Sequence, residues 1–138
     1  MRFMIIVKAS KDSEAGKPPS TDLLAAMGKY NEELVKAGVM EAGEGLHATS
    51  RGARIKFTGK DRTVRHGPFP LDGLIAGFWI FKVKSKDEAI EWVKRAPFDD
   101  GTELEIRQIF AAEDFGENLT PELKEQEERL RAQASAKH

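Results

Sequence analysis

The sequence predicts an α+β fold in which helices cover one face of an antiparallel sheet, and three observations point to it. Two nearly continuous apolar stretches, "FMIIV" (residues 3–7) and "LIAGFWIFKV" (74–83), read as central strands. Two segments opening at Ser20 and Ser85 combine an N-cap with apolar residues at helical spacing. Two amphipathic helices can cover only one face of such a sheet, which makes it a two-layer sandwich.

The elements follow in order. After "FMIIV", the stretch "KDSEAGKPPS" reads as a polar loop bearing Gly and Pro. Ser20 caps a helix whose Leu23, Met27, Tyr30 and Leu34 form one core stripe, with Gly38 at its C-terminal end. "VMEAGEGLHAT" and "ARIKFTG" read as two strands joined by a short turn, the second alternating Ala53, Ile55 and Phe57 with Arg54, Lys56 and Thr58. "GKDRTVRHGPFP" is a hairpin region punctuated by Lys60-Asp61 and Gly67-Pro68. Ser85 and Glu88 form a capping box for a second helix that runs to about Ala96, before Pro97. "TELEIRQIF" is a strand with Leu104, Ile106 and Phe110 on one face and Glu103, Glu105 and Arg107 on the other. Thr120 and Pro121 open a last helix, almost wholly charged, whose Leu119, Leu123 and Leu130 make too narrow a stripe for a core helix.

This order, β-α-β-β-(β)-β-α-β-α, suits a sandwich of ferredoxin-like type. Residues 1–112 form the α+β domain and residues 113–138 a charged helical extension. The uncovered sheet face, with aromatics such as Phe78 or Trp79 near it, is expected to meet a second copy, so that a homodimer closes two sheets around a cleft.

Composition narrows the function. The 138 residues suit one domain, and 40% hydrophobic with 33% charged residues is ordinary for a globular protein. A net charge of −1 offers no overall field for nucleic acid or a membrane surface. Without cysteine there are no disulfides, thiol nucleophiles or thiolate metal sites, which fits a reducing, cytoplasmic setting. The first apolar run has five residues, far short of a signal peptide's core or the roughly 20 of a membrane span.

"MRFMIIVKASKDSEAG", "YNEELVKAGVMEAGEGLHATSRGARIKF", "GPF", "LIAGFWIFKVKSKDEAIEWVKR" and "EDFGENLTPELKEQEERLRAQ" together resemble the YCII-related, or DGPF-domain, family across nearly the whole chain. The resemblance implies a dimeric α/β-barrel of ferredoxin-like topology. Most members of this branch have no assigned reaction. The family's Asp-Gly-Pro-Phe-Ala-Glu-Thr-Lys-Glu motif stands here as "HGPFPLDG", with His66 in the aspartate position and the acidic segment reduced to "LDG". "RAPFDDG" is shortened where relatives carry a longer Cys-Pro loop. A better-known branch resembles a His–Asp pair enzyme, with the histidine in its first helix. Counted back from Gly38, that position is Met27 here, so the pair and its dehydrochlorinase-like activity do not carry over.

The residues themselves leave several candidates. His66, before a turn, projects toward a cleft as a base, with Asp72 six residues on to hold its tautomer; a turn that tolerates Asp, Asn or His alike is the plainer reading. His47, after the second strand, is a second base or ligand contact, or simply a strand-end histidine bonded locally. Glu44, Tyr30, Arg54 and Arg107 are candidate substrate contacts, the arginines offering bidentate forks to an anion; solvated charge ladders explain them equally. Two histidines with Glu44 or Asp72 match no recognised metal spacing, and neither a cofactor motif nor a phosphate loop is present. Three functional classes therefore stay open: a cofactor-independent lyase or isomerase with a histidine base in a dimer cleft, a non-catalytic small-molecule-binding or accessory domain, and a dimeric scaffold without a site.

Overall fold

The two apolar stretches pair with each other at the centre of the sheet. In the computed structural model, which describes residues 1–137, strand β1 (Arg2–Lys8) runs antiparallel to β5 (Ile75–Lys82), placing Phe3 beside Phe81 and Ile5 beside Trp79. β2 (Met40–Gly45) joins the far side of β5, and β6 (Leu104–Gln108) joins β1. The four-stranded sheet has the order β2-β5-β1-β6, every neighbour antiparallel. With the separate two-stranded hairpin of β3 (Ala53–Thr58) and β4 (Asp61–His66) set aside, this is the ferredoxin-like arrangement. In one chain the sheet is open, with β2 and β6 as its edges.

The chain forms two compact units, Met1–Gln108 and the residues from Ile109 on. In the first, helix α2 (Thr21–Lys36) is capped by Ser20, whose side chain accepts the Leu23 N–H, and ends where Gly38 takes a φ of 71°. Helix α3 (Lys86–Val93) is capped by Ser85. Alternation along the strands divides the sheet's residues cleanly. Phe3, Ile5, Trp79 and Phe81 are buried and cluster with Tyr30 and Leu34 of α2 and Ala89 of α3, with Leu104 and Ile106 of β6 packed against them. Met4, Ile6, Phe78 and Ile80 point the other way and remain half-exposed.

Several expectations change. The loop after β1 contains a one-turn helix α1 (Lys11–Glu14), because Ser10 and Ser13 cap each other reciprocally. β2 and β3 do not pair: residues 46–52 intervene with a 3₁₀ turn (Thr49–Arg51), β2 takes its partner from β5, and β3 turns back on β4 through Gly59. The apolar residues of β3 therefore stay exposed. Helix α3 ends at Val93, its last residues winding down as turns, and the Glu88 carboxylate accepts the N–H of Lys84 instead of Ser85. Trp79 belongs to the buried face, and only Phe78 to the open one.

In the second unit a 3₁₀ segment (Ala112–Asn118) precedes α4 (Pro121–Ala136), which opens at Thr120 and buries no residue. Phe110 does not extend the β6 face: it lies beyond the strand, stacked on Phe115 at 5.0 Å between ring centroids. Among the described residues no helix is long and apolar enough to cross a membrane.

Leu34 is wholly buried between α2 and the sheet. Leu34→Ala is expected to lower unfolding free energy by about 2–5 kcal/mol, because the cavity left behind adds to the lost transfer free energy. Urea denaturation checks this, with an unchanged slope expected.

Candidate functional site

Three glycines face the helices from adjacent strands. Gly43 and Gly45 of β2 share this face with Gly77 and Trp79 of β5, and the register sets Gly43 opposite Trp79 and Gly45 opposite Gly77. A Cβ on Gly43 would sit 2.8 Å from the side chains of Met40 and Trp79; one on Gly77 would sit 2.8 Å from the Glu44 carbonyl oxygen. At Gly45 a Cβ would meet nothing within 4 Å. Glycine in a strand interior commonly marks such a close approach or a place kept free for a ligand.

Above this bare stretch of sheet lies a pocket of about 350 Å³. That is within the usual range for small-molecule sites. Leu23, Met27 and Asn31 line it from α2, and Trp79 and Phe98 wall it. The Trp79 ring meets Tyr30 and Phe98 edge to face, at 5.7 and 6.1 Å between centroids. Its Nε1–H donates to Asn31 Oδ1 at 2.9 Å, tying the helix to the sheet. The Asn31 amide nitrogen has no acceptor among the described residues, so the pocket holds one side-chain donor in a largely apolar lining.

The candidates from the sequence do not converge in this pocket, and of them only Glu44 is among its lining. His47 is exposed in the loop after β2, with Arg51 Nη1 3.0 Å from Nε2 and 3.3 Å from Nδ1. Its neighbour is thus a cation, where a catalytic pair uses a carboxylate. His66 ends β4 opposite Ala53, exposed, and Asp72 lies in an exposed turn. No hydrogen bond joins them among the described residues, and neither histidine lines the pocket. Glu44 borders the pocket, but as the cross-strand partner of Phe78 it directs its side chain to the open face. Tyr30 is buried beside the pocket and donates its hydroxyl to the Trp92 carbonyl at 2.7 Å. Arg54 stacks on Phe69, 4.0 Å from the ring centroid. Arg107 contacts Glu105 at 3.3 Å, and Lys8 reaches the same carboxylate at 3.1 Å. These two hydrogen bonds hold the Glu105 carboxyl below its ordinary pKa. Glu103 is exposed just before β6, and Lys56 on β3. Among the described residues no group of three or more His, Asp or Glu is placed to hold a metal ion.

The turn that carries "GPF" is held firmly. Glu14 accepts the Thr49 N–H at 2.9 Å and its hydroxyl at 2.6 Å, and Thr49 Oγ1 in turn accepts the Phe69 N–H at 2.9 Å. The Gly67-Pro68 peptide is cis, and a Cβ on Gly67 would overlap the Thr49 carbonyl.

Reading the sequence for titratable residues missed Asn31, Phe98 and the three glycines. The signal was present in "EAGEGL" and "IAGFW", where strand glycines fall at alternate or facing positions.

Comparison with known proteins places these features in context. The model of the YCII-related domain family matches residues 1–113. A search of curated proteins finds no match. Among solved structures, the chain is similar to a 5-chloro-2-hydroxyhydroquinone dehydrochlorinase from Burkholderia phenoliruptrix AC1100, solved with 2,5-dihydroxybenzoquinone. The identity is 20%, the TM-score is 0.39, and the alignment covers 80% of this chain and 96% of that one.

Tyr30 is the sole tyrosine of the chain, which lets one measurement isolate it. Burial pushes its pKa up from 10.0 to about 12, with Arg95 opposing and Glu33 reinforcing the rise. The folded value lies above the unfolded one, so its contribution to stability is complete below pH 10 and declines as pH rises toward about 12. Absorbance titration near 295 nm is expected to show one transition near 12 in the folded protein and one near 10 in urea; a folded transition near 10 contradicts the packing described.

Proposed function

The chain belongs to the YCII-related domain family, and from that premise we propose that it binds a small, neutral, largely apolar molecule in the pocket between α2 and the β2–β5 edge. The observation that carries this is the set of facing glycines, Gly43, Gly45 and Gly77, beneath an aromatic wall. A side chain at Gly45 would fill open space, whereas one at Gly43 or Gly77 would collide with Trp79 or with the Glu44 carbonyl. Apolar lining favours a ligand without charge, because desolvating an ion there has no compensating partner. Asn31 Nδ2 supplies the orienting contact, suited to a carbonyl, ether or hydroxyl oxygen.

Binding without histidine catalysis is the reading best supported. The resemblance puts the histidine of the better-known branch at Met27, and Met27 lines the pocket. A thioether there packs against a ligand and takes no proton. The histidine-base reading lacks the same support, since His47 and His66 are both exposed and outside the lining.

The proposal includes a homodimer formed through the open sheet face. Met4 pairs with Ile80 and Ile6 with Phe78, giving one contiguous apolar patch on an otherwise charged face. A second copy of the same face would cover it with twofold symmetry. Ile6→Lys is then expected to convert a dimer into a folded monomer in light scattering; a wild-type monomer contradicts this part of the proposal.

Gly45→Leu tests the pocket directly, because it adds a side chain where the structure offers room. Titrated with the neutral fluorophore N-phenyl-1-naphthylamine, the wild type is expected to bind saturably, and Gly45→Leu at least about tenfold more weakly with its melting temperature kept. His47→Ala and His66→Ala are expected to bind as the wild type does. Equal binding by Gly45→Leu contradicts the assignment.

A further inference from the structure

Charge is unevenly distributed along this nearly neutral chain. Residues 51–66 hold six Arg or Lys against a single acid, Asp61, although the whole chain carries −1. These residues form the β3–β4 hairpin and the turn leading into it, and both strands are exposed along their whole length. The register sets Arg54 directly opposite Arg65, so the two share one face of the ribbon. Like charges directly opposite each other in a sheet are destabilising unless something compensates them.

No carboxylate does so among the described residues. Arg2, Arg95, Arg107 and Arg131 each have an acidic partner at 2.7 to 3.5 Å, whereas Arg54 and Arg65 have none. Instead, both guanidinium groups lie over the ring of Phe69, at 4.0 and 5.3 Å from its centroid. Phe69 is itself fixed through its N–H to Thr49, which Glu14 holds in turn. The two cations are thus gathered over one anchored aromatic ring, with their N–H edges available. Neither guanidinium donates a hydrogen bond among the described residues, so their N–H groups stay free for an anion while the ring supplies a cation–π contact.

We propose that Arg54 and Arg65, seated on Phe69, form an anion site for a phosphate monoester carried by a small molecule. Each guanidinium presents up to five N–H donors, and two of them outnumber the acceptors of a carboxylate. A phosphate monoester matches better, with three terminal oxygens and close to two negative charges to offset the paired cations. This site stands apart from the apolar pocket: none of its residues lines that pocket.

The test uses the full chain at constant ionic strength, with amide shifts followed by NMR during titration with inorganic phosphate and with phenyl phosphate. Saturable shifts are expected for residues around 49–69. Arg54→Gln and Arg65→Gln are each expected to weaken binding about tenfold, and Arg54→Lys several-fold, since lysine keeps the charge and loses the fork. Arg62→Gln is the control of equal charge: its guanidinium donates to the carbonyls of Gly59 and Asp61, and it lies on the opposite face of the ribbon, over Phe57. It is expected to bind as the wild type does. Shifts that never saturate, or equal losses in all three glutamine variants, overturn the proposal. So does a DNA oligonucleotide that binds far more tightly than phenyl phosphate and depends alike on every arginine, for that is the behaviour of a diffuse field.

Discussion

The hydrogen bond from Trp79 Nε1 to Asn31 Oδ1 is the joint on which the α+β unit turns. It links the central strand β5 to α2 and satisfies the one polar atom of an otherwise apolar ring. Because Trp79 is fixed there, Tyr30 and Phe98 can meet it edge to face, and Gly43 opposite must lack a side chain. The same bond engages Oδ1 of Asn31, whose amide nitrogen has no acceptor among the described residues. A single contact thus separates two regions of one helix stripe: Tyr30 and Leu34 fill the core, while Leu23 and Met27 roof an opening.

Polar and charged groups are organised just as locally. The open sheet face carries its ions at the margins, Arg2 with Glu41 on one side and Lys8, Glu105 and Arg107 on the other, around the apolar patch of Met4, Ile6, Phe78 and Ile80. Such exposed pairs add little stability in water and serve mainly to set what the face can meet. The hairpin shows the opposite arrangement, positive charge against the single acid Asp61, held over a turn that the Glu14–Thr49 network fixes. These are two surfaces of different chemistry on one small unit.

The fold was largely legible in the sequence because its signals are local. "FMIIV" and "LIAGFWIFKV" declared central strands by continuous apolar character, and Ser20, Ser85 and Thr120 declared helix starts by capping chemistry. The pairing of β3 escaped because periodicity gives a strand's faces but not its partner: Ile55 and Phe57 alternate as core residues do, yet stay exposed. Trp79 and Phe78 were indistinguishable until register fixed which one points inward. The pocket was harder still. It lies over glycines of two strands, Gly43 and Gly45 on β2 and Gly77 on β5, which only the register brings together, and attention to titratable groups selects His47, His66 and Asp72 instead. "HGPF" drew the eye to His66, whereas Gly67 and Phe69 carry the structural constraint and His66 remains an exposed strand end.

The central claim is that the space beneath α2 is a ligand pocket and the histidines lie outside it. Three of the four methionines provide built-in reporters, since Met27 lines the pocket, Met4 sits on the opposite sheet face and Met1 at the chain start. Methyl-labelled methionine NMR during titration with N-phenyl-1-naphthylamine is the most direct measurement. The Met27 methyl is predicted to shift in proportion to occupancy while Met1 and Met4 stay in place. A still Met27 beside a shifting Met4 would put the ligand on the open face and contradict the account.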